Sequence, residues 1–593
     1  MSRSAGQGGW GRLSPAGAIG AIAALGAAVA AVLAVVGGGD DGDATARTAR
    51  EHTLVLGYFL PPTGKVGNPY LQAGDNLVSD GVWQLVFEPL FYFNYERGRL
   101  EPWLATGYDY TDGNTTIALH LRDDVRWGDG QPFGADDVVF TLERLLAARA
   151  PLRAANIQSS VRSVRKLSPT EVSIRLKAPN PRFVETELSA YSYSSNFIPL
   201  PRHVFRGRDF DSFAFYDLAK SWPLGTGPYR LTALGASSTT FTRNEGWWAA
   251  RAGVSRLPAP KRVVYTSPGS EDSAVSGLAT NRLDYAGLTV PSVAGFLAAR
   301  ERNDKLVNWD GELGWLDPCP YALTVNTTAE PWDDADMRRA LNAAIDKVQF
   351  SRLFNTPGEP TPARATFPEY PKLTARLDRN ADLFDRYPTE RHDLAAAERI
   401  FEREGYAKEG GVWTREGEPL ALKLSVFGAS APSPAWRDAG RLLRQQLTKA
   451  GIRAELAPAD ENAIFEARTK GDFDAQTWFE CGSVTDPWST LNRYTNAPGN
   501  DNAGRWSNPE YERVVADIGE LRPGDPGIEP LFRRAMEILL RELPVIPLSQ
   551  RPTPLVMNRT YWTNWPTAAN AYTQPPPWWM NFHQVITRLR PAE

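Results

Sequence analysis

The chain has 593 residues, 42% of them hydrophobic, more than one core can use, since single cores stop growing near ~250–300 residues. Its 65 Lys and Arg stand against 69 Asp and Glu, a formal net charge of −4 at pH 7. Both signs are spread along the sequence, so no stretch suits a phosphate backbone, and nucleic acid is not expected as a partner.

The N-terminus sets the compartment. Arg3 and Arg12 precede an uncharged run from Leu13 to Gly39, and Asp40, Asp41 and Asp43 follow it. Positive charge before and negative charge after an apolar run sends the C-terminal side outward. Residues 1–15 read as a basic region, 16–39 as a signal or membrane-anchor helix and 40–52 as a polar linker. The run exceeds the ~7–15 residues of a typical signal core and is long enough to span a bilayer. A small-x-small site at Ala44-Thr45-Ala46 lies beyond the acids, an unfavourable place for cleavage. Cleavage and retention both remain open, with retention slightly favoured. The segment holds no cysteine, so a lipid-modified cysteine is not expected there. The protein is expected outside the cytoplasm, in the periplasm or on the outer face of the cytoplasmic membrane.

From Thr53 the order TLVLGYF alternates as a strand does, and strand and helix patterns follow one another without an internal repeat. An α/β protein is predicted. Asp136 and Asp137 supply first-turn charge to a helix over Ala135–Leu146. The same logic predicts a helix from Asp333 to Phe354, with Met337, Leu341, Ala344, Ile345 and Val348 on its apolar face. Ser433-Pro434 opens another helix that ends before Gly451, and Ile452, Ala454 and Leu456 then alternate as a strand.

Nothing in the chain resembles a catalytic constellation. The five histidines (His52, His120, His203, His392, His583) are never within helical reach of one another, which excludes an HExxH zinc site. GxSxG is absent, no phosphate loop surrounds Gly64-Lys65, and Gly225-Thr226-Gly227 lacks the third glycine of a dinucleotide fingerprint, Arg230 standing in its place. Glu480 and Asp486 have the chemistry for acid/base work, but carboxylates are too numerous for that to count. No catalytic residue, metal or cofactor is expected. The cysteines, Cys319 and Cys481, suggest one disulfide in an exported chain and two free thiols in a cytosolic one. Many of the 19 tryptophans, Trp127, Trp247, Trp248, Trp478, Trp488, Trp578 and Trp579 among them, sit in Gly-, Pro- or Asn-rich surroundings. Such residues either seal cores or line a cleft.

A collinear set of segments resembles extracellular solute-binding family 5, the dipeptide- and oligopeptide-binding proteins of ABC importers. It comprises Val125–Phe133 (VRWGDGQPF), Pro223–Tyr229 (PLGTGPY), Asn244–Trp248 (NEGWW), Leu278–Asp284 (LATNRLD), Tyr321–Lys347, Asn508–Tyr511 (NPEY) and Leu543–Leu548 (LPVIPL). The resemblance implies a two-lobed periplasmic-binding-protein fold of type II, in the large variety with an extra subdomain. Lobe I would take about 53–318 and 549–593, the subdomain about 77–215, and lobe II about 319–548. It implies a receptor rather than an enzyme: a monomer that closes on a small oligomeric solute and presents it to an ABC permease, tethered by the N-terminal helix if that is uncleaved.

The resemblance also implies a Cys319–Cys481 bridge and a ligand-binding loop carrying Trp478, Glu480, Ser483, Asp486 and Trp488. Peptide-binding relatives carry an aspartate for the peptide's α-ammonium shortly after the loop's cysteine, where this chain has Ser483. A neutral hydroxyl supplies no charge-assisted bond, and Glu480 or Asp486 would have to substitute. The leading expectation is an oligopeptide. The alternative is an oligosaccharide, because some members bind them and Leu85–Leu104 resembles those members. Nickel chelates, and a surface hydrolase or sensor, come after these.

Overall fold

A computed structural model describes residues 50–593 apart from 59–63, 72–80, 150–153, 192–196, 288–289, 291, 312–313, 356–358, 360, 427–433, 458–460, 498–499, 501 and 578. The expected signal or anchor helix at 16–39, the basic region before it and most of the linker lie outside the described residues, as do Ser433 and Trp578. Among the described residues no helix is long and apolar enough to cross a membrane.

Strand β1 (Thr53–Gly57) forms where the TLVLG alternation predicts it. The chain then builds smaller layers. Strands β2 (Phe91–Asn94) and β3 (Arg99–Pro102) pair antiparallel. Strands β4 (Ala105–Thr111), β5 (Thr116–Leu121), β6 (Val161–Ser168) and β7 (Glu171–Leu176) make a four-stranded sheet, and β8 (Ser189–Ala190) returns to β2. Next come the meander β9 (Tyr229–Leu234), β10 (Ser238–Arg243) and β11 (Arg262–Thr266), then β12 (Tyr285–Ala286) and β13 (Leu306–Val307).

A second large sheet starts with β14 (Trp315–Val325). Strands β15 (Ala407–Glu409), β16 (Val412–Arg415) and β17 (Glu418–Pro419) form a small meander. They lead to β18 (Ala421–Ser425), β19 (Arg453–Leu456) and β20 (Ala475–Phe479). Strand β21 (Val545–Thr553) pairs with β14 from Trp315↔Thr553 to Thr324↔Val545, and β22 (Val556–Asn558) rejoins the first sheet. The seven-stranded sheet therefore reads β13-β22-β12-β1-β11-β10-β9 and the five-stranded one β19-β18-β20-β14-β21. Each has its own apolar packing: Ala274, Leu278 and Phe296 beside the first, Met337, Leu341, Leu422, Leu443 and Ile546 in the second.

The motifs of the first half are joints between turns. Trp127 Nε1 donates to Asp137 Oδ2 at 3.3 Å, and the same carboxylate accepts from the backbone of Gly134 (3.1 Å), which caps the helix Ala135–Ala147. Gly128 N donates to Gly225 O at 2.8 Å, linking two glycine-rich runs far apart in sequence. A Cβ on Gly225 would stand 1.8 Å from Val86 O, so the backbone approach excludes every other residue. In the NEGWW motif, Trp247 and Trp248 donate their indole N–H to Glu88 at 3.2 and 2.7 Å. His583, from the helix Phe582–Arg588, closes this buried node, with Nε2 3.3 Å from Glu88 and Nδ1 2.7 Å from the Tyr92 hydroxyl.

One predicted helix is two. The run from Asp333 to Phe354 divides into Ala335–Ala344 and Lys347–Asn355, with Ile345 extended between them (φ −100°, ψ 119°). Asp334 caps the first by accepting from Asp336 N and Met337 N, and Asp346 starts the second by accepting from Gln349 N at 2.9 Å. The break turns Val348 out to 38% exposure, although helical spacing places it on the apolar face. Gly451 adopts φ +89° beyond the helix Pro434–Lys449, the left-handed terminator expected of it.

Gly225→Ala is expected to destabilise the chain by about 3 kcal/mol or more, the scale of a forced core rearrangement. Gly107→Ala, which adds a methyl where nothing lies within 4 Å, is the control. Comparison of their urea midpoints checks the assignment.

Candidate functional site

The loop after β20 is built on the β14 crossover. Prolines 318 and 320 lack the N–H that would continue the ladder, and the β14–β21 register shifts between Asp317 and Ala322. The freed carbonyls accept instead from the loop, Pro320 O from Glu480 N (2.9 Å) and Pro318 O from Gly482 N (3.2 Å). Cys319 and Cys481 are disulfide-bonded at this point. Asp317 and Arg551, register partners on β14 and β21, form a buried ion pair, and the Arg551 guanidinium lies 4.4 Å over the Phe479 ring. Burial pushes the Asp317 carboxyl up, and the charge of Arg551 opposes the shift.

All five residues that the sequence singled out lie on this one loop and its flanks, each already engaged. Trp478 is half-buried opposite Ala322, with the Arg468 guanidinium 4.8 Å over its ring. Glu480 is buried; its carboxylate accepts from Arg493 Nε and the Tyr494 hydroxyl, both at 3.1 Å. The Ser483 hydroxyl accepts from Thr485 N (3.2 Å) and Asp486 N (3.0 Å), shaping the turn. Asp486 is buried against Arg182, with Nε to Oδ2 at 2.5 Å. Trp488 opens the short helix Trp488–Asn492 and donates Nε1–H to Val515 O at 3.1 Å.

Facing the loop is an aromatic group that sequence reasoning did not assemble. The Trp579 ring lies 4.7 Å from Tyr95 and 5.7 Å from Trp315, and Tyr191 lies 5.0 Å from Phe93. The Tyr95 hydroxyl donates to Tyr191 O, and the Tyr191 hydroxyl donates to Ser489 Oγ at 3.2 Å, on the far side of the loop. Trp315 Nε1 donates to Glu96 at 2.9 Å. Tyr95 and Glu96 belong to the Leu85–Leu104 stretch noted in the sequence; Tyr191 carries no such signal.

Glu185 stands out beside them. It lies in the helix Phe183–Glu187, half-buried, and among the described residues no hydrogen bond or ion pair holds its carboxyl. Burial pushes that carboxyl up to about 7; neighbouring Asp486 adds to the shift and Arg182 opposes it. Its charge also bears on the hydroxyls of Tyr95, Tyr108, Tyr110 and Tyr191.

These features define a class: an α/β protein with two large sheets joined by paired crossover strands. Within it, the model for bacterial extracellular solute-binding proteins, family 5 Middle, matches residues 99–502, and the chain belongs to that family. Members are substrate receptors, not enzymes, and they bind small solutes and work with an ABC permease outside the cytoplasm. The nickel-binding periplasmic protein of Escherichia coli K12 is 23% identical over 498 residues, covering 81% of this chain and 86% of that protein. The glutathione-binding protein GsiB of the same organism is 23% identical over 496 residues, with the same coverage. Among solved structures, a periplasmic oligopeptide-binding protein of a Thermotoga maritima ABC transporter superposes with a TM-score of 0.78 at 23% identity, over 92% of this chain and 100% of that one. Its mannohexaose-bound form gives 0.76 at 23% identity, over 91% and 99%. The fold is that of these periplasmic receptors.

The raised Glu185 carboxyl has a sign that can be measured. Between its ordinary value, 4.5, and about 7 the folded chain keeps a proton that the unfolded chain has lost. Stability from this group is therefore full below the ordinary value and falls as pH rises toward 7. Glu185→Gln is expected to raise the melting temperature at pH 8 and to leave it unchanged at pH 4, checked by thermal melts at both.

Proposed function

We propose that the chain captures a neutral oligosaccharide by closing two lobes over it, and hands it to an ABC permease. The boundaries we assign are 53–318 with 549–593 for lobe I, including an extra subdomain near 77–215, and 319–548 for lobe II. Membership of the sheets supports this: β1, β9–β13 and β22 make one, β14 and β18–β21 the other. Ligand then shifts an open–closed equilibrium by its differential affinity for the closed form.

The observation that carries the solute class is the state of the loop carboxylates. A peptide's α-ammonium needs an available carboxylate for its charge-assisted bond. Glu480 is held by Arg493 and Tyr494 and Asp486 by Arg182, while Ser483 is neutral. Sugar rings need instead aromatic faces, which the half-buried Trp478 supplies near the buried cluster of Tyr95, Tyr191 and Trp579. The mannohexaose-bound Thermotoga structure agrees with this reading. An oligopeptide is the second reading, favoured by Glu185, whose carboxyl is not held.

Isothermal titration separates them. Mannohexaose is expected to bind at micromolar Kd or tighter and unmodified tripeptides not to bind; the reverse result overturns the saccharide reading. Trp478→Ala is expected to weaken saccharide binding by at least about tenfold, ~1.4 kcal/mol, with an unchanged circular dichroism spectrum. Unchanged affinity would place this indole outside the site.

A further inference from the structure

Arg182 is only 1% exposed, yet every hydrogen-bond acceptor of its guanidinium lies more than 300 residues further along the chain. It follows β7 of the four-stranded sheet and precedes the helix Phe183–Glu187. Nε donates to Asp486 Oδ2 at 2.5 Å, and Nη2 lies 3.4 Å from Oδ1. Nη1 reaches the carbonyls of Ile518 (3.2 Å), Gly519 (3.0 Å) and Leu521 (2.6 Å). These carbonyls end the helix Pro509–Glu520, where unpaired C=O groups and the helix dipole concentrate negative charge. The same guanidinium lies 5.4 Å over the Trp488 ring.

A buried charge is stable only when paired and hydrogen-bonded, and stripping it of partners is strongly destabilising. Among the described residues the Arg182 guanidinium has no acceptor in its own segment, so separating the two segments must return it to water. Weaker contacts cross the same seam: Tyr191 to Ser489 at 3.2 Å, and Arg522 Nη2 to Asn114 Oδ1 at 3.2 Å. We propose that Arg182 is a positioning residue for solute capture, a latch that engages Asp486 and the end of the 509–520 helix only in the closed form. This rests on the two-lobed reading above. The latch holds the closed form whatever solute is inside, so it sets how tightly each is held and does not discriminate among them.

Gly98 supplies the probe. A Cβ built there stands 3.8 Å from the Thr485 Cβ, a spacing typical of disulfides. Cys319 and Cys481 are already bonded to each other. Gly98→Cys with Thr485→Cys should therefore cross-link under mild oxidant only when the seam is shut. Adding Arg182→Gln, or the near-isosteric Asp486→Asn as a second route should the first not fold, is expected to slow ligand-free cross-linking by about tenfold. In a Cys-free seam, each change should raise Kd for mannohexaose through faster dissociation, leaving the melting temperature without ligand unchanged. Equal cross-linking rates overturn the latch, and so does a ligand-free melting temperature that falls as far as the saturated one. If mannohexaose fails to speed cross-linking of the parent while Arg182→Gln still slows it, the saccharide reading fails and the latch stands.

Discussion

The structure depends on the antiparallel pairing of β14 with β21. These strands carry the chain out to the five-stranded sheet and back, and the loop at 480–488 is anchored to β14 through Glu480, Cys481 and Gly482. The prolines at 318 and 320 break the ladder where the loop docks, and the disulfide, the Asp317–Arg551 pair and the Glu480 and Gly482 amides refill it. Buried polar backbone requires partners, and here the loop is the partner. That is why the loop is shaped from within rather than left open around a solute.

The same economy explains why the loop's charges are not available. A carboxylate taken out of water needs a cation or several donors. Glu480 finds Arg493 and Tyr494, and Asp486 finds Arg182. Around the loop stand aromatic rings and two half-buried glutamates, Glu96 and Glu185, whose ionisation burial opposes.

Local signals were readable where chemistry is local. Glycine 451, the first-turn acids Asp136 and Asp137, and the alternation of β1 all announce themselves within a few residues. The break at Ile345 was missed because apolar spacing continued through it, while Asp346 began a new helix in the same stretch. Trp478, Glu480, Ser483, Asp486 and Trp488 were legible as one loop. Their partners were not: Arg182, in an unpatterned Pro-Arg-Phe turn, meets an aspartate 304 positions later. Such a pairing is a property of tertiary approach and leaves no periodic trace. Glu185 likewise gains its character from burial beside Asp486, which its own helix does not reveal.

The return of β22 has a consequence for biogenesis. This strand lies between β13 and β12, and His583 completes the polar node at Glu88. As the polypeptide is made N-terminus first, β13 stays apart from the rest of the seven-stranded sheet until residue 558 is present. Contacts of such long sequence separation form late and slowly. A chain truncated before β22 would be left with two exposed sheet edges, at β12 and β13, open to pairing with another strand.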